Sequence, residues 1–383
     1  MDENKKLTQL EGNRIEALSD RIAQLMAEAR NKVAVAVNTA MVYTYYEIGR
    51  YIVEDEQEGE YRAQYGKQVL IELSARLTER LGRGWSVENL TLIRKFYLAY
   101  SNSVNSVYEI KAEKKIQNTV LEIETNSVNS VCEIQTKKGK QCLPNFTLPW
   151  SHYLVLRRVD NLEARSFYEI EARQQQWSVR QLQRQIGSSL YERLALSRDK
   201  DEIMRLAREG QTVEKPSDII KDPLVLEFVG LKPDASYTET SVESAIIDKL
   251  QQFLMEMGKG FLFEARQKRF TFEERHFFVD LVLYNRLLQC YVLVDLKMDD
   301  LTHQDLGQMQ MYVNYYDRYV RQDFEKPTIG ILLCERKNEA LVELTLPKEA
   351  NIYAQQYALY LPDKNLLQQK LQMWITEQNE QTN

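Results

Sequence analysis

Phe277-Phe278-Val279-Asp280-Leu281-Val282-Leu283-Tyr284, then Cys290-Tyr291-Val292-Leu293-Val294-Asp295-Leu296-Lys297, is the stretch on which the fold turns. Each half is a short apolar run rich in β-branched and aromatic residues, and Asn285–Gln289 is short enough to join them as a hairpin. Charge interrupts both runs: Asp280 in one, Asp295 and Lys297 in the other. Side chains alternate along a strand, so Asp295 and Lys297 share a face. Pairing residue 285 with 290 places 280 opposite 295. Three charges inside apolar strands are costly unless paired or ligated. Hard divalent cations prefer oxygen ligands, which makes the two aspartates candidate metal ligands.

The flanking sequence supplies further groups. Upstream, Gly260–Phe270 reads as a strand carrying Gln267 and Arg269, both placed to face a nucleic-acid groove. Before it, Thr240–Met257 reads as one amphipathic helix with Ile246, Ile247, Leu250, Leu254 and Met257 on its apolar stripe. Glu243 falls on the core side of that stripe, where a carboxylate needs a partner. Downstream, Gln308-x-x-x-Tyr312 puts two polar groups four apart on one helical face. Tyr312, Tyr315, Tyr316 and Tyr319 form a stripe whose first reading is core packing and whose second is base stacking.

Asp280, fourteen residues, then Asp295-x-Lys297 resembles the PD-(D/E)xK nuclease superfamily. Glu243 matches its helix carboxylate, and Gln308-x-x-x-Tyr312 matches the Q-x-x-x-Y variant of its fourth motif. The run Phe278-Val279-Asp280-Leu281-Val282, Val294-Asp295-Leu296-Lys297 and Gly307-Gln308-Met309-Gln310-Met311-Tyr312 is similar to the YhcG group of these nucleases. Trp85-Ser86, Arg94-x-Phe96-Tyr97, Leu148-Pro149-Trp150-Ser151 and Trp177-Ser178-Val179-Arg180 resemble the helical domain of the same group, so the likeness covers most of residues 13–375. Asp295 departs from it by standing where the group more often has glutamate, one methylene longer.

The resemblance implies an α/β restriction-endonuclease-like domain over residues 216–375 that hydrolyses phosphodiesters with Mg²⁺ or Mn²⁺. Asp280, Asp295 and the backbone carbonyl of Leu296 would hold the ion. Glu243 would hold a second ion or its water. Lys297 would orient or deprotonate the attacking water, or neutralise the phosphate. Gln308 and Tyr312 would position water, Lys297 or substrate. The partner is then nucleic acid, with DNA expected. The rival expectation is a DNA-binding or scaffold protein whose nuclease fold is inactive.

Residues 13–215 read as all-helical. Ile15, Leu18, Ile22, Leu25 and Ala29 recur at spacings of three and four, which predicts one buried face, and the pattern continues through Val33, Val37, Val42 and Ile48. Lys67–Leu81 and Val87–Tyr100 are helices joined by Gly82-Arg83-Gly84, with Ser86 as cap, a candidate helix-turn-helix or winged-helix unit. Trp177-Ser178-Val179 echoes Trp85-Ser86-Val87, consistent with a second such unit or simply a second good cap. Between them, Asn-Ser-Val-Asn-Ser-Val occurs at 102–107 and again at 126–131, and residues 101–145 read as a repeat-containing insertion loop. From Arg157 to Arg198 the chain has eight arginines and no lysine. Arg157, Arg158, Arg165, Arg173, Arg180 and Arg184 are candidates for phosphate contact. The bland alternatives are a solvated face or an oligomerisation module, and a homo-oligomer is one expectation.

The 383 residues carry a net charge of −6, yet residues 216–383 alone hold 26 acids against 18 bases. A uniformly basic coat for DNA is excluded, whereas a basic module joined to an acidic, metal-holding one is not. No apolar run is long enough to span a bilayer, no secretory signal is apparent, and the four cysteines form no C-x-x-C pair. Those features predict a cytoplasmic protein without a membrane partner.

Overall fold

A computed structural model describes residues 2–58, 63–115, 133–136, 139–142, 144–198, 200–221, 223–231, 237–272, 274–337, 339–347 and 350–381. The chain divides into two compact units, Met1–Arg165 with Ala172–Val179, and Ser166–Glu171 with Arg180–Asn383.

The first unit is built on a long helix, α1 (Asp2–Glu58), followed by α2 (Ala63–Leu81) and α3 (Val87–Lys115). Gly82 and Gly84 take positive φ in the turn between α2 and α3, and Ser86 Oγ accepts a hydrogen bond from the Asn89 N–H at 3.3 Å. α1 and α3 meet at Gly49, where an added Cβ would lie 2.7 Å from both the Ile93 carbonyl and Tyr97 Cβ. Tyr46, Phe96, Tyr100, Phe146 and Tyr153 fill the adjacent core, with Phe96 and Tyr153 each 5.1–5.5 Å from a neighbouring ring centroid. α4 (Trp150–Leu156) closes it.

Two expectations fail here. The stripe predicted to be buried on α1 is exposed over most of its length: Leu18, Ile22 and Leu25 are each more than half accessible, as are Val33 and Val37, and only further along is Val42 fully buried. Periodicity shows that a face is apolar, not that something within the chain covers it. The expected loop over 101–145 is in part regular structure. α3 runs on through Lys115, so the first repeat copy at 102–107 is helical, and β1 (Glu133–Thr136) pairs antiparallel with β2 (Gly139–Cys142). Val104, Val107 and Ile110 recur at helical spacing, which the repeat reading overlooked. The second copy, at 126–131, lies outside the described residues.

The second unit contains the middle turns of α5 (Leu162–Gln174), then α6 (Val179–Gly187), α7 (Leu190–Leu196) and α8 (Lys200–Glu209). It therefore begins upstream of residue 216, where the composition changes. Buried ion pairs are the reason. Arg193, fully buried, contacts Glu256 at 2.6 Å, Arg184 pairs with Glu227 at 2.8 Å, and Lys259 pairs with Glu171 at 2.7 Å. Separating α5–α7 from the residues that follow would leave those charges unpaired in the interior.

Beyond them come β3 (Leu224–Val225), α9 (Glu239–Asp248), α10 (Leu250–Met257), β4 (Phe261–Phe272), β5 (Arg275–Asn285), β6 (Cys290–Asp300), α11 (His303–Tyr319), β7 (Ile329–Arg336), α12 (Glu339–Thr345), β8 (Ile352–Ala358) and α13 (Lys364–Gln381). The six-stranded sheet has the order β3-β8-β7-β6-β5-β4, antiparallel from β4 to β6 and parallel from β6 to β3. α9 and α10 are two helices that break at Lys249, where one was expected. Their apolar residues Val242, Ile246, Phe253 and Met257 pack with Leu281, Val292, Val294 and Leu296 on one sheet face. Leu306, Met309, Tyr312 and Val313 of α11 pack with Val279, Leu293 and Leu332 on the other. Among the described residues, no helix is long and apolar enough to cross a membrane.

Candidate active site

The β5–β6 ladder runs from Asn285 opposite Cys290 to Leu281 opposite Val294 and then stops. The register is the one the sequence suggests. Beyond it the strands separate, and the Asp280 carboxylate accepts a hydrogen bond from the Leu296 N–H at 2.8 Å. On β6, Val292, Val294 and Leu296 face α9 and α10, so Asp295 and Lys297 look toward α11. Asp295 is only 3% exposed and lies 3.0 Å from Lys297 Nζ. Burial, and after it the charge of Asp280, push its carboxyl up to about 7. Burial opposes protonation of Lys297, but Asp295 outweighs it and holds the ammonium above its ordinary range. Lys297 is therefore a cation at neutral pH and suits charge neutralisation better than proton abstraction.

Glu243 is brought in from α9 and is buried. Arg266 Nε donates to its Oε1 at 2.7 Å. Gln267 Nε2 donates both to Glu243 Oε2 at 3.0 Å and to Asp280 Oδ1 at 2.8 Å. Two carboxylates thus converge on one donor atom. Gln267 takes a positive φ of 46°, which is strained for a residue with a side chain and is held here by those bonds. Gln308 Nε2 donates to the Tyr312 hydroxyl on α11. Tyr312 is buried, burial raises its hydroxyl pKa, and the charges of Asp295, Lys297 and Asp280 act on it. Asp305 completes the cluster 3.9 Å from Lys297, while its carboxylate also caps α11 by accepting from Thr302.

All six residues predicted to be catalytic, Glu243, Asp280, Asp295, Lys297, Gln308 and Tyr312, belong to this one neighbourhood. Gln267, expected on a nucleic-acid groove, is instead bonded to the carboxylates, whereas Arg269 is exposed on β4. Arg266 and Asp305 were missed. A capping pattern Thr302-x-x-Asp305 was visible in sequence, but nothing local ties Arg266 to a helix 23 residues upstream. Among the described residues, no set of three or more His, Cys, Asp or Glu side chains gathers as a ready metal cage. A donor set of Asp280, Asp295 and the Leu296 backbone nevertheless suits a hard cation. It consists of oxygens, and the crowded negative charge that raises Asp295 is what a cation would relieve.

The phosphate-binding expectation for the arginines divides. Arg158, Arg173 and Arg180 are exposed and Arg157 is half-buried. Arg165 is buried, donating to the carbonyls of Val159 and Ala99. Arg184 is committed to Glu227 and Glu256. Both are internal ties, because neighbouring carbonyls and carboxylates take up the guanidinium hydrogens.

A sheet with antiparallel and parallel halves, flanked by helices and carrying Asp280, Asp295-x-Lys297 and a helix glutamate where two strands part, defines the PD-(D/E)xK nuclease class. Residues 217–372 match the model of the YhcG PDDEXK nuclease domain, and residues 21–193 match that of the DUF1016 N-terminal domain. The chain is 38% identical over 355 residues to the "Putative nuclease YhcG" of Escherichia coli strain K12, covering 92% of each chain. It belongs to the YhcG nuclease family. Among solved structures, a repair endonuclease from Pyrococcus abyssi aligns with a TM-score of 0.23 and 22% identity over 34% of this chain. An EndoMS–dsDNA complex aligns with a TM-score of 0.24 and 15% identity over 35%. Each match spans half of the solved chain.

Proposed function

We propose that the protein is a Mg²⁺- or Mn²⁺-dependent nuclease that hydrolyses phosphodiester bonds in DNA. The observation that supports this best is the pairing of a buried, proton-hungry Asp295 with Asp280 at the point where β5 and β6 part, with Lys297 3.0 Å away. Asp280, Asp295 and the Leu296 carbonyl are the candidate holders of the ion. When bound, it supplies Lewis-acid charge to the scissile phosphate. Lys297 neutralises developing negative charge on the phosphate oxygens and aligns water through its ammonium hydrogens. Asp305 and Asp295 fix where that ammonium sits. Gln308, held by Tyr312, orients water or substrate from α11. Glu243, with Arg266 and Gln267, anchors the far side of Asp280 and is the candidate holder of a second ion or its water.

The helical N-terminal region is proposed as the module that holds DNA, through its exposed Arg158, Arg173 and Arg180, with helix-turn-helix character at α2–α3. The exposed row on α1 is the place where a homo-oligomer would form, and light scattering of the whole chain checks it. The central test is incubation with linear, branched and single-stranded DNA and with RNA, in Mg²⁺, Mn²⁺ or EDTA. Cleavage with either ion and none in EDTA is expected. Asp295→Asn and Lys297→Ala should each lower turnover at least about 100-fold, the scale for losing one electrostatic element. A wild-type protein that binds DNA and cuts nothing makes this an inactive nuclease fold serving as a binding module.

A further inference from the structure

α11 serves two sites. Beside the turn that carries Gln308 and Tyr312, a groove of about 320 Å³ is lined by Phe270 and Phe272 of β4 and by Gly307, Tyr315, Arg318 and Tyr319 of α11. Its floor is aromatic. Tyr315 stacks on Phe270 with centroids 4.1 Å apart and planes 21° apart, and Tyr319 lies 5.2 Å from Tyr315. Phe272 and Tyr319 remain 44% and 64% exposed, so two rings at the rim face solvent. Phe270 also meets Tyr312 edge-on at 5.5 Å, which makes the groove floor a wall of the candidate active site.

Three further observations bear on what the groove holds. Gly307 lies inside a helix, where glycine is unfavourable, yet an added Cβ would meet nothing within 4 Å. No packing within the described residues requires glycine there. Its effect is to leave the helix backbone open to whatever lies in the groove. The charge is cationic: Arg318 lines the groove, Lys268 shares the β4 face of Phe270 and Phe272, and Arg275 pairs with Phe272 in the β4–β5 register. Among the described residues none of the lining side chains is acidic; nearby, Glu264 contacts Lys268 at 4.0 Å and Asp317 contacts Arg321 at 3.6 Å. The exposed amides of Gln310 and Asn314 bond only weakly to each other, at 3.3 Å, and are available to a ligand's polar edge.

We propose that this groove holds an unpaired nucleobase of the strand being cut, stacked on the Phe272 and Tyr319 rings with an adjoining phosphate on Arg318. The proposal rests on the nuclease reading above and narrows it to nucleic acid with a single-stranded segment beside the scissile bond. Every base has a π face, and stacking on aromatic rings with a cation alongside is how single strands are held without sequence preference. The volume sits at the lower end for small-ligand sites, a size for one nucleotide rather than for a duplex.

The test measures fluorescence anisotropy of the full chain in EDTA with a labelled 15-residue oligothymidylate, the matching oligouridylate and a blunt duplex. Tyr319→Ala and Phe272→Ala, both at exposed positions that leave the core intact, should weaken single-strand binding by about 5- to 150-fold, the cost of one base–aromatic stack. That loss should exceed the loss on duplex at least fivefold, and Tyr319→Phe should restore it. Oligothymidylate against oligouridylate tells which sugar the site accepts. Equal single-strand affinity for wild type and both alanine variants overturns the proposal and leaves the groove to a protein side chain. If that occurs while wild type still cuts with Mg²⁺, only the groove assignment fails. If wild type binds neither oligonucleotide nor duplex and cuts nothing, the nuclease reading fails with it.

Discussion

Asp295→Asn should make the C-terminal unit of the metal-free protein more stable, while lowering turnover in Mg²⁺ at least about 100-fold. Asp295 is buried and faces Asp280, and its carboxyl is pushed up to about 7. The folded state therefore binds more protons than the unfolded state between about pH 4, the ordinary aspartate range, and pH 7. Stability contributed by this group is present below that window and is lost as pH rises through it. Relative to a neutral side chain, linkage puts the cost of carrying Asp295 at about 1.5 kcal/mol at pH 5 and about 4 kcal/mol at pH 8. Asparagine accepts from Lys297 as the neutral acid does, and the worth of the charged contact, 3.0 Å long, is already contained in where the Asp295 carboxyl titrates. The net expectation is therefore a gain of about 1.5 kcal/mol at pH 5 and of about 4 kcal/mol at pH 8. For a unit of this size the gain at pH 8 is roughly 8–16 °C in Tm. The assay is thermal unfolding of the full chain and of the variant in EDTA from pH 5 to 8, followed by titration with Mn²⁺. Wild type should gain stability from the ion and the variant should not. A variant less stable than wild type at pH 8, or a difference that does not change with pH, refutes the argument that Asp295 is a strained acid waiting for a cation.

Gln267→Ala removes a donor shared by Glu243 and Asp280. It should lower metal-free stability by about 1.5–3 kcal/mol, the range for bonds to charged groups, and raise affinity for Mn²⁺ by calorimetry because that donor no longer competes. Unchanged affinity would make Gln267 a bystander. Arg193→Met takes from Glu256 its shortest partner, at 2.6 Å; that carboxyl is fully buried and is held at about 2 by Arg193, Lys221 and Arg184 against its burial. The expected cost is about 3–5 kcal/mol by urea unfolding, largely recovered in the double variant with Glu256→Met; a double variant as unstable as the single one contradicts this. Gly49→Ala should separate α1 from α3 and destabilise the N-terminal unit by about 1–3 kcal/mol, because Ile93 backbone and Tyr97 Cβ lie 2.7 Å from the new methyl. Limited proteolysis of that unit at the wild-type rate would show that the helices absorb the methyl.

What the sequence by itself determined was the part of the protein in which charge breaks a pattern. Asp280 and Asp295-x-Lys297 are conspicuous because a strand is read with period two and a charge inside an apolar run has few benign explanations. The hairpin register followed from connection length and the place of Glu243 from helical spacing, whereas Gln308 and Tyr312 were singled out by the family resemblance, with helical spacing putting them on one face. Tertiary structure decided whatever depends on residues distant in the chain. That Gln267 turns its amide onto Glu243 and Asp280, and that Arg266 covers Glu243, rests on β4 lying against α9 and on a backbone strain invisible to any local pattern. Arg184 reads as a cation for phosphate until Glu256, 72 residues away, ties it to the interior. The α1 stripe reads as buried because its spacing is right, yet from Leu18 to Val37 it is exposed because the described chain offers nothing to cover it there. Periodicity is set by local geometry. Burial and proton affinity are set by the company a side chain keeps, which only the folded chain defines.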